Sequence, residues 1–229
     1  MAFIHLAHVL DPADYAWPGE PVLEVRPDTV IHETGKPFNS IISTLPNHFG
    51  THMDGPHHFN TVGTAFDELP IETFGYEGHE VLLVDLPHRC APAEVIVKED
   101  LEPYAEQLKG IRLLLLRTGY EKYRATNQDF YQMKSLSLHP DLCRWLNEEC
   151  PDLACVAMDW LSVASPTNDY GPEAHHWLLG NYTDHVITAI EDMPMAALGD
   201  RKIKAVTLGP LRIKGADSSQ VCAMAWVED

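Results

Sequence analysis

Four consecutive leucines in 111-IRLLLLRT-118 set the first limit on what this chain can fold into. A β-strand alternates its side chains between two faces, so an unbroken apolar run suits only a strand covered on both sides. Similar short runs occur at 79-HEVLLVDL-86, 154-ACVAMDW-160, 204-KAVTLGPL-211 and 221-VCAMAWV-227. They are too short for ordinary helices and read as buried strands. Helical stretches lie between them. Residues 98–110 carry acids in the first turn and end on Lys109 and Gly110, which is sound helix punctuation. Residues 138–151 place Pro140 near the first turn and stop at Pro151, where a helix tolerates and then refuses proline. Strands alternating with helices predict an α/β domain. The first 45 residues differ, with strand candidates at 3–9 and 40–45 and turns at Asp11-Pro12 and Pro18-Gly19. An antiparallel portion, and hence a mixed sheet, is expected from them. No linker or repeat divides the chain, so residues 1–229 are expected to form one domain.

Composition removes several function classes. The formal net charge of −18 would repel nucleic acid, which is not expected as a partner. No apolar run reaches the ~18 residues of a membrane span, and the N-terminus lacks the basic head and apolar stretch of a secretory signal. A cytoplasmic protein without a membrane partner is expected. The cysteines Cys90, Cys143, Cys150, Cys155 and Cys222 contain no C-x-x-C pair. Reduced thiols are therefore expected, rather than a disulfide framework or a cysteine zinc site.

The chemistry is concentrated in 47-NHFGTHMDGPHHF-59. His48 and His52 are four residues apart, which could put both on one helix face. Gly50, Gly55 and Pro56 oppose a helix there. An extended segment fits better, and its alternation would place His48, His52, Asp54 and His58 on one side, with His57 pointing away. Imidazoles with a carboxylate suit borderline divalent ions such as Zn²⁺, Mn²⁺ or Fe²⁺. The lack of nearby cysteine favours a site with an open position, where bound water loses a proton near neutral pH.

This string, 48-HFGTHMDGPHH-58, resembles H-x-G-T-H-x-D-x-P-x-H, the signature of the cyclase family of metal-dependent hydrolases, which includes bacterial kynurenine formamidases and isatin hydrolases. Weaker similarity extends through Trp17-Pro18-Gly19, "MDWLSVASP", "AHHWLLG", "IEDM" and "KGADSSQVCAMA". The resemblance implies that His48, His52 and Asp54 bind a first metal and that Asp54 bridges to a second. His175, or His176 in a shifted register, and Glu191 would complete the second site. His58 would be the general acid/base, and Trp17 would line the substrate pocket. One or two divalent ions are implied, zinc or manganese above all. The implied fold is a single domain with a mixed, barrel-like sheet of the swivelling β/β/α type, assembled as a homodimer or homotetramer.

One departure concerns the gap from His175 to Glu191, which spans 16 positions and is wider than in the family's formamidases. A changed loop beside the pocket is expected, with His185 inside it as a spare ligand candidate. The activity implied is hydrolysis of a small aryl amide or lactam, N-formylkynurenine or a relative of it, by metal-activated water, with His58 delivering a proton to the leaving nitrogen. A metal-dependent cyclase or dehydratase, and a non-catalytic metal-binding protein, are the alternatives; a pure binding site gives no reason for a free base such as His58.

Overall fold

The leucine run lies where its pattern demands. In the computed structural model, which describes residues 2–33 and 35–228, it forms a strand paired on both edges, with a separate apolar cluster on each face. Leu114 and Leu116 enter one cluster, and Leu113 and Leu115 the other.

The strands in chain order are β1 (Ala2–His5), β2 (Glu24–Thr29), β3 (Ser40–Thr44), β4 (His52–Asp54), β5 (Gly75–Glu77), β6 (Val81–Asp85), β7 (Val95–Ile96), β8 (Leu113–Arg117), β9 (Ser137–Leu138), β10 (Cys155–Met158), β11 (Thr188–Glu191), β12 (Ile203–Pro210) and β13 (Ser218–Val227). The helices are α1 (Lys98–Leu101), α2 (Lys122–Thr126), α3 (Gln128–Met133), α4 (Pro140–Glu149) and α5 (Gly171–Leu178). The main sheet runs β5-β12-β13-β4-β11-β10-β8-β6, with β1 also paired to β13. Strands β6, β8, β10 and β11 are mutually parallel. Their neighbours β4, β13, β12, β5 and β1 join antiparallel. The sheet is therefore mixed. Its ends approach one another, since β12 packs against β6, and the result is a nearly closed barrel in a single α/β domain.

One apolar cluster fills the barrel with Met53, Leu113, Leu115, Ala157, Ile190, Val206, Ala223 and Ala225. The other is built by the outer face of the parallel strands and by Leu142, Cys143 and Leu146 of α4 and Ala174 and Leu178 of α5. Helix α4 begins as its sequence indicates. His139 caps it by accepting from Asp141 N at 3.2 Å, and Pro140 occupies the first turn.

Two expectations need correction. The helix expected over 98–110 stops at Leu101 and continues as a 3-10 turn, Glu102–Tyr104. Pro103 has no N–H for an α-helical bond and its ring crowds the preceding turn. The strand candidate at 40–45 does not join the barrel. It pairs with β2 as a separate two-stranded hairpin. The antiparallel character of the sheet comes mainly from the C-terminal strands and from β4.

Candidate metal centre

The short strand β4 positions the site because it is held on both sides. Its register with β11 places His52 opposite Glu191 and Asp54 opposite Ala189. Its register with β13 places Gln220 opposite His52 and Ser218 opposite Asp54. Directly opposed residues share a face of the sheet, so His52, Asp54 and Glu191 converge, while Met53 turns into the barrel core. Both flanks of β4 are irregular, which corrects the expectation of one extended segment over 48–58. Before it, Gly50 has φ +68°, and a Cβ there would collide with Leu10 Cδ2. That bend returns His48 to the site. After it, Pro56–His58 form a 3-10 turn with proline in its first position, and this turn presents His58. The side chains expected together do converge, but through turns as well as strand alternation.

Helix α5 contributes His175, which is 3% exposed. The neighbouring His176 instead faces Tyr182 and the edge of Phe59, so of the two candidates it is His175 that reaches Asp54. His185 is excluded from the centre, because its nitrogens lie 2.9 Å and 2.8 Å from the carbonyls of Asn147 and Leu153. The loop after α5 starts beside the pocket, where Asn181 donates to Phe59 O. It then turns away, and Thr183 and His185 pack against Asn147.

Nitrogen orientation favours a cation. His52 Nδ1 lies 2.8 Å from Gly50 O, and His175 Nδ1 lies 2.7 Å from Gly171 O. A carbonyl only accepts, so each Nδ1 carries hydrogen and the neutral ring keeps its lone pair on Nε2. His48 is turned the other way. Its Nε2 donates to Asp217 Oδ2 at 2.8 Å, leaving Nδ1 3.0 Å from Asp54 Oδ1. The two oxygens of Asp54 divide the histidines: Oδ1 faces His48 and His52, and Oδ2 lies 3.5 Å from His175 Nε2. Glu191 Oε2 lies 3.3 Å from His52 Nε2, while its Oε1 accepts from Ser162 Oγ and Val163 N. Two tight groups result, His48–Asp54–His58 and His52–Asp54–Glu191, each with donor atoms within 4.8 Å of one another. Asp54 belongs to both.

The decisive test of fit is that His52 Nε2 and both Asp54 oxygens are buried with no hydrogen-bond partner among the described residues. Such orphaned atoms are costly, and a divalent ion among them would satisfy all three. The electrostatics agree. Burial alone would raise the Asp54 and Glu191 carboxyls, but the facing histidines hold Asp54 well below the ordinary range and Glu191 at about 2. Burial alone would lower the histidines, yet the neighbouring carboxylates of Asp217 and Asp54 raise His48 to about 10, and those of Asp54 and Glu191 raise His175 to about 9. The centre is built to surround positive charge.

The centre opens into a cavity of about 380 Å³. Trp17, Phe59, Leu161, Ala164 and Pro172 form its apolar wall, and His48, His52, His58, His175 and Glu191 its polar surface. Trp17, named above as a pocket residue, lines this cavity. Asp217 and the supports of Glu191, Ser162 and Val163, carry no signal in the sequence. Asp217 lies inside the quoted stretch "KGADSSQVCAMA", but nothing local marks it, because its partners are 169 and 159 positions away.

The family model described as "Putative cyclase" matches residues 4–165. The chain belongs to that family. A kynurenine formamidase from Bacillus cereus is 29% identical over 222 residues, covering 97% of this chain and 96% of the relative. An uncharacterized protein from Haemophilus influenzae is 40% identical over 135 residues, covering 57% of this chain and 92% of its own length. Among solved structures, isatin hydrolase A from Labrenzia aggregata, bound to benzyl benzoate, superposes with a TM-score of 0.81 at 19% identity, covering 98% of this chain and 93% of that one. That last likeness is one of fold.

Proposed function

We propose that this chain is a metal-dependent amidohydrolase that opens the C–N bond of a small aryl formamide or a related aryl amide or lactam, N-formylkynurenine being the favoured case. The observation that carries this reading is the set of orphaned donor atoms on His52, which lines an aromatic-walled cavity, and on Asp54, buried beside it. A cavity of that size accommodates one aryl ring and its substituent. The kynurenine formamidase relative, alignable over nearly the whole chain, supports the same substrate class.

His48, His52 and Asp54 would hold one divalent ion, and Asp54, His175 and Glu191 a second. When bound, such an ion supplies Lewis acidity toward a carbonyl and activation of water. Zinc or manganese fits the nitrogen–carboxylate donor set. The remaining work falls to the chain. Trp17 and Phe59 would bind the aryl ring against the apolar wall and exclude water around it. His58 donates Nδ1–H to Asp217, which leaves Nε2 as the nitrogen available to the pocket. There it would take a proton from the attacking water and return it to the departing aryl amine. We further propose a homodimer or homotetramer acting in the cytoplasm on a small molecule, with no nucleic acid partner.

The test is metal analysis of protein purified without chelators, followed by assay of formyl-anilides. One to two divalent ions per chain with hydrolysis is the expected result. Protein that stays metal-free after saturation with Zn²⁺, Mn²⁺ and Fe²⁺ would sink the reading. Metal-loaded protein that hydrolyses no amide but dehydrates a polyhydroxylated substrate would reassign it as a lyase.

A further inference from the structure

We infer that Asp217 is a positioning residue that ties the metal centre to the proton-transfer histidine. One carboxylate oxygen, Oδ2, accepts from His48 Nε2 at 2.8 Å and from His58 Nδ1 at 3.2 Å. The two imidazoles lie with ring centroids 4.1 Å apart and planes at 34°, so a single acceptor fixes both. The other oxygen, Oδ1, accepts from Asn47 Nδ2 at 3.0 Å, which prevents the carboxylate from rotating away. The main chain at this point is fastened too. Asp217 O accepts from Gly55 N at 2.9 Å, the residue between Asp54 and the turn that carries His58. A side chain on Gly55 would bring its Cβ to 3.0 Å from that same oxygen. Asp217 immediately precedes β13, whose next residue, Ser218, is paired with Asp54 and reaches His48 Nε2 at 3.1 Å.

The consequence is chemical. An anionic acceptor on Nε2 keeps the His48 lone pair on Nδ1, toward Asp54, and makes the ring a stronger donor. The same anion on His58 Nδ1 keeps its lone pair on Nε2, toward the pocket, and stabilises that ring when it carries a proton. Binding and proton delivery thus depend on one carboxylate that need not touch metal or substrate. The His58 half of this inference rests on the hydrolase reading above; the His48 half does not.

The experiment compares Asp217→Asn and Asp217→Glu with wild type in two assays. The first is Zn²⁺ affinity by chelator competition, read without any substrate. The second is turnover of formanilide, whose amine must be protonated to leave, against para-nitrophenyl formate, whose phenolate leaves unaided. For D217N the expected loss is ~10–100-fold in Zn²⁺ affinity, the usual scale for an outer partner of a metal-binding histidine. At saturating Zn²⁺, formanilide turnover is expected to fall ~10-fold or more beyond any loss on the ester. D217E, which keeps the charge, is expected to bind Zn²⁺ more tightly than D217N. A packing role predicts the reverse order, because asparagine matches aspartate in shape and glutamate does not. Should D217N fail to fold, Asp217→Ser, smaller and neutral, takes its place with the same expectations. Wild-type Zn²⁺ affinity in the neutral variant together with an unchanged anilide-to-ester ratio would overturn the inference. A wild type that hydrolyses neither substrate would overturn the hydrolase reading, and the Zn²⁺ competition would still decide the role of Asp217 at His48.

Discussion

His52 and Glu191 face one another across neighbouring strands, Nε2 to Oε2 at 3.3 Å, because the register of β4 and β11 makes them direct partners. Residues 139 positions apart in sequence thus form one edge of the candidate metal centre. Asp54, two residues along the same strand, completes that edge and reaches His175 on the far side.

Asp54 belongs to both proposed ligand sets, its oxygens facing His48, His52 and His175, and its replacement should therefore empty the whole centre. For Asp54→Ala we expect loss of bound metal and of amide hydrolysis, with the far-ultraviolet circular dichroism of wild type. Metal content per chain measures it directly. A variant that keeps its full complement would remove Asp54 from the ligand set.

His58 should be separable from the ligands by its effect on different leaving groups. His58→Ala is expected to retain metal and to lose ~10²-fold or more in turnover of a formyl-anilide, the scale of lost general acid–base catalysis. An activated aryl formate should lose much less. Equal losses on the two substrates, or metal loss in the variant, would count against a proton-transfer role.

The response to pH follows from the histidines. His48 and His175 are held up at about 10 and about 9, from an ordinary 6.5, because carboxylate partners outweigh burial. A group raised in the folded state stabilises the metal-free protein fully below pH ~6.5 and loses that contribution as pH climbs through its folded value. Metal needs the same rings neutral, so its binding releases protons and tightens in that direction. Chelator-treated protein should lose stability from these groups between pH ~6.5 and ~10, His175 first and His48 last, while the gain in Tm on adding Zn²⁺ grows. Thermal melts at several pH values, with and without Zn²⁺, measure both trends. A Zn²⁺ gain that shrinks with rising pH would contradict the ligand assignment.

Behind the centre, Asp192 follows Glu191 with φ +52° and is buried. Arg124 Nε donates to both of its oxygens at 3.1 Å, Tyr131 OH donates at 2.6 Å, and its carbonyl accepts from Thr51 Oγ1 beside His52. Arg124→Ala would leave that carboxylate short of its cation, at a cost of ~3–5 kcal/mol. Urea denaturation of the metal-free protein is the measurement. A loss below ~1 kcal/mol would show that Tyr131 and His8, whose Nε2 lies 3.3 Å from Asp192 Oδ1, satisfy Asp192 without the guanidinium.

The strands of the barrel were legible because each apolar run is a local pattern: Leu113 to Leu116 must be covered on both faces wherever they go. His48, His52, Asp54 and His58 were legible for a similar reason, being packed into eleven residues whose types already suit a divalent ion. The manner of their convergence was not. A left-handed glycine and a 3-10 turn replaced the uniform strand, since main-chain bends depend on neighbours such as Leu10 that lie far away in sequence. The choice of His175 over His176 and the exclusion of His185 also depended on tertiary structure. So did the pairing of Glu191 with His52 and the reach of Asp217 to His48 and His58. Strand register and helix rotation are set by packing between distant segments, and sequence spacing alone carries no record of which distant residues will meet.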